Sequence, residues 1–133
     1  MSGKEQPIGT ALIICDHIIT ELGTNKKTLV GTFNNINGGA LPVIQGMMSL
    51  FASLTNGQGR TKLLFRCTSV ASGRTCFEFE ERDVEFLHPN QVVEVVYNLK
   101  NLVFENPGVH CIELLVDGSH LMETRFNVTV QTQ

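Results

Sequence analysis

Three consecutive residues, Cys15, Asp16 and His17, carry the side chains of this sequence that are best suited to metal binding or catalysis. They lie within Thr10 to Glu21, a stretch whose β-branched residues predict a strand. Successive side chains of a strand face opposite sides, so Cys15 and His17 share one face and Asp16 lies on the other. Cys15 and His17 could supply two metal ligands, but a tetrahedral zinc site needs four. We expect instead that Asp16 caps a turn or accepts backbone hydrogen bonds at a bulge, and that His17 faces water.

The remaining nucleophiles and bases show no recognisable catalytic arrangement. The cysteines include no C-x-x-C pair, and the histidines are scattered through the sequence, at His17, His88, His110 and His120. No G-x-S-x-G, P-loop or H-E-x-x-H motif occurs in the sequence. The sequence therefore predicts a protein that is not an enzyme and that has no cofactor, with Cys15 and His17 as the weak candidates for a metal.

Two cysteines, Cys67 and Cys76, flank a turn at Ser72-Gly73. A four-residue loop would place them directly opposite each other, close enough for a disulfide, whereas a two-residue loop would offset them. In a cytosolic protein we expect a reduced pair that packs as small apolar side chains.

Composition limits the functional class. The sequence has 133 residues, a net charge of −3 and 42% hydrophobic but only 17% charged residues. This length suits one domain, and the charge balance lacks the basic excess of a nucleic-acid-binding protein. The small charged share suggests that some apolar surface is buried against another subunit. No convincing signal peptide or membrane span is seen, so we expect a cytoplasmic protein with neither a membrane nor a nucleic acid as its partner.

The surest local structure is a hairpin near the end of the sequence. Asp117-Gly118 lies between alternating apolar residues, which is the strongest short-range hairpin signal. Similar runs and turns at regular spacing predict about eight antiparallel strands. We therefore predict an all-β protein, an immunoglobulin-like β-sandwich, with a flexible N-terminus over residues 1–9 and a single domain over residues 10–131.

Some stretches depart from simple alternation. Met47 to Leu54 and Lys62 to Val70 are expected to form a strand-turn-strand hairpin. Thr75 to Leu87 is interpreted as one strand with a bulge around Glu81 to Asp83, because its apolar residues change phase there. Asn98 to Asn101 is expected to hold a second irregularity. Asn34 to Gly46 is interpreted as an irregular excursion between the two sheets, long enough to be functional.

The last hairpin resembles that of immunoglobulin-like and fibronectin-like sandwiches. Its residues are Pro107-Gly108-x-His110-x-Ile112 followed by Asp117-Gly118. In those proteins a tyrosine occupies the position of His110 and bonds back to the backbone. His110 could make a similar bond, although the tyrosine itself is absent here.

Nearly the whole sequence also resembles a family of small bacterial proteins of unknown function. The resemblance rests on an Ala-x-x-x-x-Asp segment, a Lys ahead of a Leu-x-Gly-x-Phe strand and the terminal hairpin. The matching residues are Ala11, Asp16, Lys27, Leu29, Gly31, Phe33, Leu102, Phe104, Pro107, Gly108, Asp117 and Gly118. The resemblance implies a β-sandwich and no particular activity.

Three hypotheses about function follow. The first is a non-catalytic module that binds a protein partner or itself as a homodimer, with Asp16, Asn35, Gly38 and Gly39 as candidate interaction residues. The second is a small metal-binding protein or enzyme that uses Cys15, Asp16 and His17. The third is a ligand-binding sandwich whose pocket lies under Gly38-Gly39 and is lined by Met47, Met48 and Phe51.

Overall fold

The computed structural model describes residues 5–79 and 81–131, and ten strands are found there. In chain order they are β1 (Ile8–Thr20), β2 (Lys27–Thr32), β3 (Asn35–Gly38), β4 (Val43–Thr55), β5 (Gly59–Ser69), β6 (Thr75–Glu78), β7 (Arg82–Phe86), β8 (Val92–Phe104), β9 (Gly108–Val116) and β10 (Ser119–Val130). β1 thus includes Ile8 and Gly9, which the sequence placed in a flexible N-terminus. Residues 1–4 of that terminus lie outside the described part.

The strands form two sheets. The first sheet has the order β2-β1-β4-β8, and the second has the order β3-β10-β9-β5-β6, with β7 also paired to β5. Strand pairs are antiparallel except β3 and β10, which run parallel. The all-β, immunoglobulin-like sandwich is therefore confirmed, with ten strands rather than about eight.

The core lies between the two sheets, where alternate residues of the long strands meet. Leu50 and Leu54 of β4 face Phe65 of β5 and Leu114 of β9, and all four side chains are fully buried. Burying one such side chain contributes roughly 1.5–3 kcal/mol. The aromatic rings of Phe65, Phe77, Phe79 and Tyr97 close one side of this core through edge and stacked contacts.

The predicted hairpin between Met47–Leu54 and Lys62–Val70 is wrong, although both strands exist. β4 pairs with β1 and β8, whereas β5 pairs with β9, β6 and β7, so the connection crosses from one sheet to the other. The crossing is held by the Asn56 amide, which donates to the Pro89 carbonyl (2.9 Å), and by Gly57, which packs under the Phe86 ring. The residues of both strands alternate in character because each strand covers the core from its own side.

Two further expectations need correction. The stretch from Asn34 to Gly46 does cross between sheets, but it is not irregular throughout, because β3 pairs with β10 and Val43 already belongs to β4. Thr75 to Leu87 contains two strands, β6 and β7, rather than one bulged strand. β6 pairs with the second half of β5 and β7 with its first half, so the change of phase marks a break between strands.

The first sheet bends sharply at two places, each marked by a residue in the left-handed conformation. One is Asn101 of β8 (φ 54°), opposite Gly46, beyond which the two strands exchange their buried and exposed faces. This confirms the irregularity expected at Asn98 to Asn101. The other is Gly31 of β2 (φ 71°), opposite Asp16 of β1. The Asp16 carboxylate occupies the space that a Cβ on Gly31 would need, so this position requires glycine.

The bend at Asp16 and Gly31 folds the β1–β2 hairpin across the outer face of the first sheet. Lys27 of β2 lies opposite Thr20 of β1. Glu94 of β8 lies opposite Ser53 of β4, and Ser53 in turn lies opposite Ala11, near the start of β1. Thr20 and Ala11 would lie about 30 Å apart along a straight strand. Lys27 nevertheless forms an ion pair with Glu94, 3.6 Å from Nζ to Oε1. The hairpin must therefore fold back over β4 and β8.

This hairpin explains why β4 is buried on both faces. Phe51 and Ser49 alternate with the core residues Leu50 and Ala52, so they point to the outer face. Phe51 is nonetheless only 9% exposed, and Ser49 only 1%. The outer face of β4 is thus covered by the hairpin of β1 and β2.

The closing hairpin has the predicted form. Asp117 (φ 49°) and Gly118 (φ 85°) both adopt positive φ, as a tight hairpin turn between twisted strands requires. Asp117 also accepts a hydrogen bond from the Lys62 amide through Oδ1 (3.0 Å), which fixes the turn to β5. His110 is fully buried between Phe104 and Phe126, and its Nδ1–H donates to the Gly108 carbonyl (3.0 Å). It therefore makes the backbone bond that tyrosine makes in related sandwiches.

Candidate interaction surface

The side chains of Cys15, Asp16 and His17 do not converge on one point. Cys15 is fully buried, and its thiol lies 3.5 Å from the carbonyl oxygen of His17 rather than from the imidazole. Burial raises the pKa of the Cys15 thiol, which keeps it protonated. The Asp16 carboxylate packs on Gly31, and the His17 side chain is exposed. Within residues 5–79 and 81–131, no group of three His, Cys, Asp or Glu side chains could hold a metal ion.

The other candidate interaction residues lie in or beside β3, away from Asp16. The Asn35 side chain is exposed, and its Nδ2 donates to Asn37 Oδ1 (2.9 Å) and to Thr129 Oγ1 (3.2 Å). Gly38 pairs with Val130 and packs against Val43, whereas Gly39 is exposed in the turn that follows. Asn35 and Gly39 are thus accessible, and Gly38 serves the packing of β3 on β4.

The pocket predicted under Gly38-Gly39 is not lined by the three expected residues. Met48 points into the core and Met47 points to solvent, because they are neighbours on one strand. Phe51 lies under the β1–β2 hairpin. A groove of about 350 Å³ lies elsewhere, beside β1 and β10, and is lined by residues that include Leu12, Ile14, Phe33, Asn34 and Arg125.

The long strand β8 has a free edge. Within the described residues its only strand partner is β4, so one side of its backbone has no partner strand. The Val96 carbonyl points to this side, because it accepts a hydrogen bond from Arg82 Nη1 (3.2 Å), which comes from β7 of the other sheet. Backbone groups alternate in direction along a strand. Glu94, Val96, Asn98 and Lys100 therefore turn their N–H and C=O groups outward, and we call this row the β8 edge.

The side chains of the β8 edge face the outer surface of the first sheet. Glu94, Asn98 and Lys100 are exposed, and Val96 is half-buried. Large apolar side chains are exposed on β8 and on its neighbour β4, at Val92 (58%), Ile44 (62%), Met47 (53%) and Val103 (45%). An exposed edge with apolar residues near both ends is a template for pairing with another chain.

The outer face of the second sheet differs, because its charges pair with one another. Arg66 bonds Glu78 (2.9 Å) and approaches Glu113 (4.0 Å), and Arg125 bonds Glu123 (3.0 Å). The bond from Arg125 lowers the pKa of the Glu123 carboxyl. Such paired surface charges are typical of a solvated face.

Two pairs of groups on the second sheet involve thiols. Burial, together with the Glu123 carboxylate that accepts its hydrogen bond (3.3 Å), raises the pKa of the Cys111 thiol to about 11. Cys67 and Cys76 are free thiols in contact with each other, and burial raises both of their pKa values. These thiols are therefore protonated at neutral pH and are poor nucleophiles.

Sequence reasoning missed the β8 edge. Val93, Val95, Tyr97 and Leu99 alternate with Glu94, Val96 and Asn98, which indicates a strand but not its place in a sheet. Strand order decides which strand lies at an edge, and strand order depends on contacts between distant residues. The charged residues of one face, Glu94 and Lys100, were the available signal, because exposed charges are common on edge strands.

No helix that could cross a bilayer occurs in the described residues. Comparison with curated proteins gave no match. Among solved structures, a beta-glucosidase from Listeria innocua in complex with glucose is similar with a TM-score of 0.55 and 10% identity, over 98% of this chain and 17% of that one. The alkylpurine DNA glycosylase AlkC of Pseudomonas fluorescens, bound to DNA containing an abasic site analog, is similar with a TM-score of 0.54 and 15% identity, over 71% of this chain and 27% of that one.

This chain therefore corresponds to less than a third of either enzyme, and at these identities the likeness concerns the fold alone. An immunoglobulin-like protein from Pseudomonas aeruginosa was also found, with 12% identity over 96% of this chain and 99% of that one, at a TM-score of 0.38. The family model of a family of unknown function, DUF6941, matches residues 10–129. Since that match spans most of the sequence and agrees with the resemblance seen in its motifs, the chain belongs to the DUF6941 family.

Proposed function

We propose that this protein is a non-catalytic interaction module, and that it binds a protein partner by adding a strand to the β8 edge. The single observation that carries the proposal is the row of outward backbone groups along β8, which no strand of the described residues uses. Strand addition at a free edge is a common mode of recognition, because backbone hydrogen bonds supply affinity and alternate side chains supply specificity.

The surroundings of the edge support this use. The exposed side chains of Val92, Ile44, Met47 and Val103 offer apolar contact to a partner. Sheet edges without a binding role are usually protected by short strands, prolines, bulges or charged side chains, and β8 carries the charges of Glu94 and Lys100. β8 is long and contains no proline, and among residues 5–79 and 81–131 the exposed Arg82 side chain is the one group seen to bond a carbonyl of its outward row.

Photo-crosslinking in the native host cell tests the proposal. A photoreactive amino acid at Asn98 samples the β8 edge, and the same amino acid at Asn127 samples the opposite face of the sandwich. Both asparagines are exposed and lie within strands, but Asn98 also accepts a hydrogen bond from the buried Ser49 hydroxyl (2.8 Å). Thermal unfolding of both labelled proteins must therefore first show that each is folded. We expect protein adducts from position 98 and none from position 127. No adduct from position 98, or equal adducts from both positions, would contradict the proposal.

A proline substitution separates strand addition from other binding modes. Val96→Pro removes an outward N–H that β4 does not use, and prolines are tolerated at such positions of edge strands. We expect this variant to fold and to lose the crosslinks from position 98. Crosslinks that persist in a folded Val96→Pro protein would show that the partner does not pair with the β8 backbone.

A further inference from the structure

The β8 edge is self-complementary, because its two charged residues lie at equal distances from Tyr97. Glu94 precedes Tyr97 by as many positions as Lys100 follows it. Two copies of β8 that run antiparallel with Tyr97 on the two-fold axis would place Glu94 of each copy opposite Lys100 of the other. Val96 would then lie opposite Asn98 of the second copy. A two-fold contact requires such a self-complementary surface.

The backbone geometry agrees with the same register. In an antiparallel pair, directly opposed residues alternate between hydrogen-bonded and non-bonded pairs. Glu94, Val96, Asn98 and Lys100 all direct their backbone groups outward, as the Arg82 bond to the Val96 carbonyl indicates. In this register, residues whose backbone groups point outward lie opposite residues of the same kind in the second copy. The two Tyr97 residues lie opposite each other without backbone hydrogen bonds between them. A register shifted by one residue would oppose outward with inward groups and could not form the ladder.

The charges lie where an ion pair across the axis needs them. Glu94 and Lys100 are on the same, outer face of the first sheet, and both are exposed. Lys27 of the β1–β2 hairpin pairs with Glu94 at 3.6 Å, so in a dimer the Glu94 carboxylate would lie between Lys27 and Lys100 of the second copy. Opposite charges directly across a strand pair stabilise it, and like charges destabilise it.

We infer that the partner of the β8 edge is a second copy of this chain, joined through antiparallel β8 strands with Tyr97 at the two-fold axis. This inference rests on the proposed function and names its partner. The two first sheets become one continuous sheet in the dimer. Arg82 must release the Val96 carbonyl so that the Asn98 amide of the second copy can donate to it.

Charge reversal of the purified protein tests the register. Glu94→Lys places two lysines opposite each other at both ends of the contact, and Lys100→Glu places two glutamates there. We expect each variant to self-associate roughly tenfold more weakly than the unmodified chain in sedimentation equilibrium. A mixture of the two variants restores opposite charges at both ends of the contact, so we expect the mixed dimer to recover most of the lost affinity; Glu94→Lys still lacks the Lys27–Glu94 ion pair.

Several results would overturn the inference. One is an unmodified chain that stays monomeric across the whole concentration series; another is self-association that both variants leave unchanged; a third is a mixture that associates no better than its components. Circular dichroism and thermal unfolding of each variant exclude loss of fold as the cause. If the chain is monomeric but position 98 crosslinks to a different protein, only the inference of self-pairing is wrong. If the chain is monomeric and position 98 forms no crosslinks, the proposed function is wrong as well.

Discussion

At the scale of single residues, chemical character depends on which atoms meet rather than on which residues are neighbours. Cys15 and His17 share a strand face in the sequence pattern. In the structure, however, the Cys15 thiol contacts the backbone carbonyl of His17, and the imidazole of His17 is exposed. His110 shows the opposite case, because a buried imidazole bonds the Gly108 carbonyl where related folds use a tyrosine hydroxyl. The residue type alone indicates neither outcome.

Cys111 offers a direct test of local electrostatics. Its pKa of about 11, against an ordinary 9.0, leaves roughly 100-fold less thiolate at pH 8 than a free thiol has. We expect iodoacetamide to alkylate Cys111 correspondingly slowly, as followed by mass spectrometry of the native protein. Glu123→Gln removes the charge that accepts the thiol hydrogen bond and should accelerate the reaction. Alkylation of the unmodified protein at the rate of free cysteine would contradict this assignment.

Arg82 is expected to oppose pairing at the β8 edge. Its guanidinium bonds the Val96 carbonyl (3.2 Å) and lies 4.0 Å from the centre of the Tyr97 ring. Arg82→Ala frees the carbonyl, and since one hydrogen bond contributes about 0.5–1.5 kcal/mol, self-association should strengthen by a few-fold. Arg74→Ala, at an exposed arginine between β5 and β6, serves as the control. Sedimentation equilibrium that shows weaker or unchanged association of Arg82→Ala would argue against this role.

At the scale of the elements, the bend of the β1–β2 hairpin depends on one glycine. Gly31→Ala forces a side chain into the left-handed region and into the Asp16 carboxylate. We expect a loss of about 1–3 kcal/mol of unfolding free energy in urea titrations. Asp16→Ala in the same protein should recover only part of this loss, because the backbone strain remains. Gly39→Ala is the control, since a Cβ there meets nothing and φ is not positive; equal losses in the two single variants would refute the explanation.

Local signals predicted the elements well where the partner strand is near in sequence. Asp117-Gly118 specifies its own hairpin, and Ser72-Gly73 correctly marks the turn between β5 and β6. β3 was missed because its four residues become a strand only beside β10, which lies far along the chain. The same limit hid the free edge of β8, because the alternation of β8 is equally compatible with a central strand and an edge strand.

At the scale of the whole molecule, the buried thiols tie stability to pH. Burial raises the pKa of Cys15, Cys67, Cys76 and Cys111 above their value in the unfolded chain. The folded state therefore holds these protons more tightly, so its stability is complete below pH 9.0 and falls as the pH rises further.

We expect the urea midpoint to be lower at about pH 10 than at neutral pH. Cys67→Ala removes one fully buried thiol, so it should make this pH dependence shallower even though it also lowers stability at neutral pH. A midpoint that does not change between these pH values, or that rises, would be inconsistent with the buried thiols.

The folded-back β1–β2 hairpin makes part of the molecule separable from the rest. β2 pairs only with β1 in the described residues, and it reaches β8 through the Lys27–Glu94 ion pair. β4, by contrast, pairs with two strands and is buried on both faces. The amides of β2 should therefore exchange with heavy water through a local opening, long before those of β4 exchange through global unfolding. Each such opening would uncover Phe51 next to the β8 edge, so the outer face beside that edge would alternate between a covered and an apolar form.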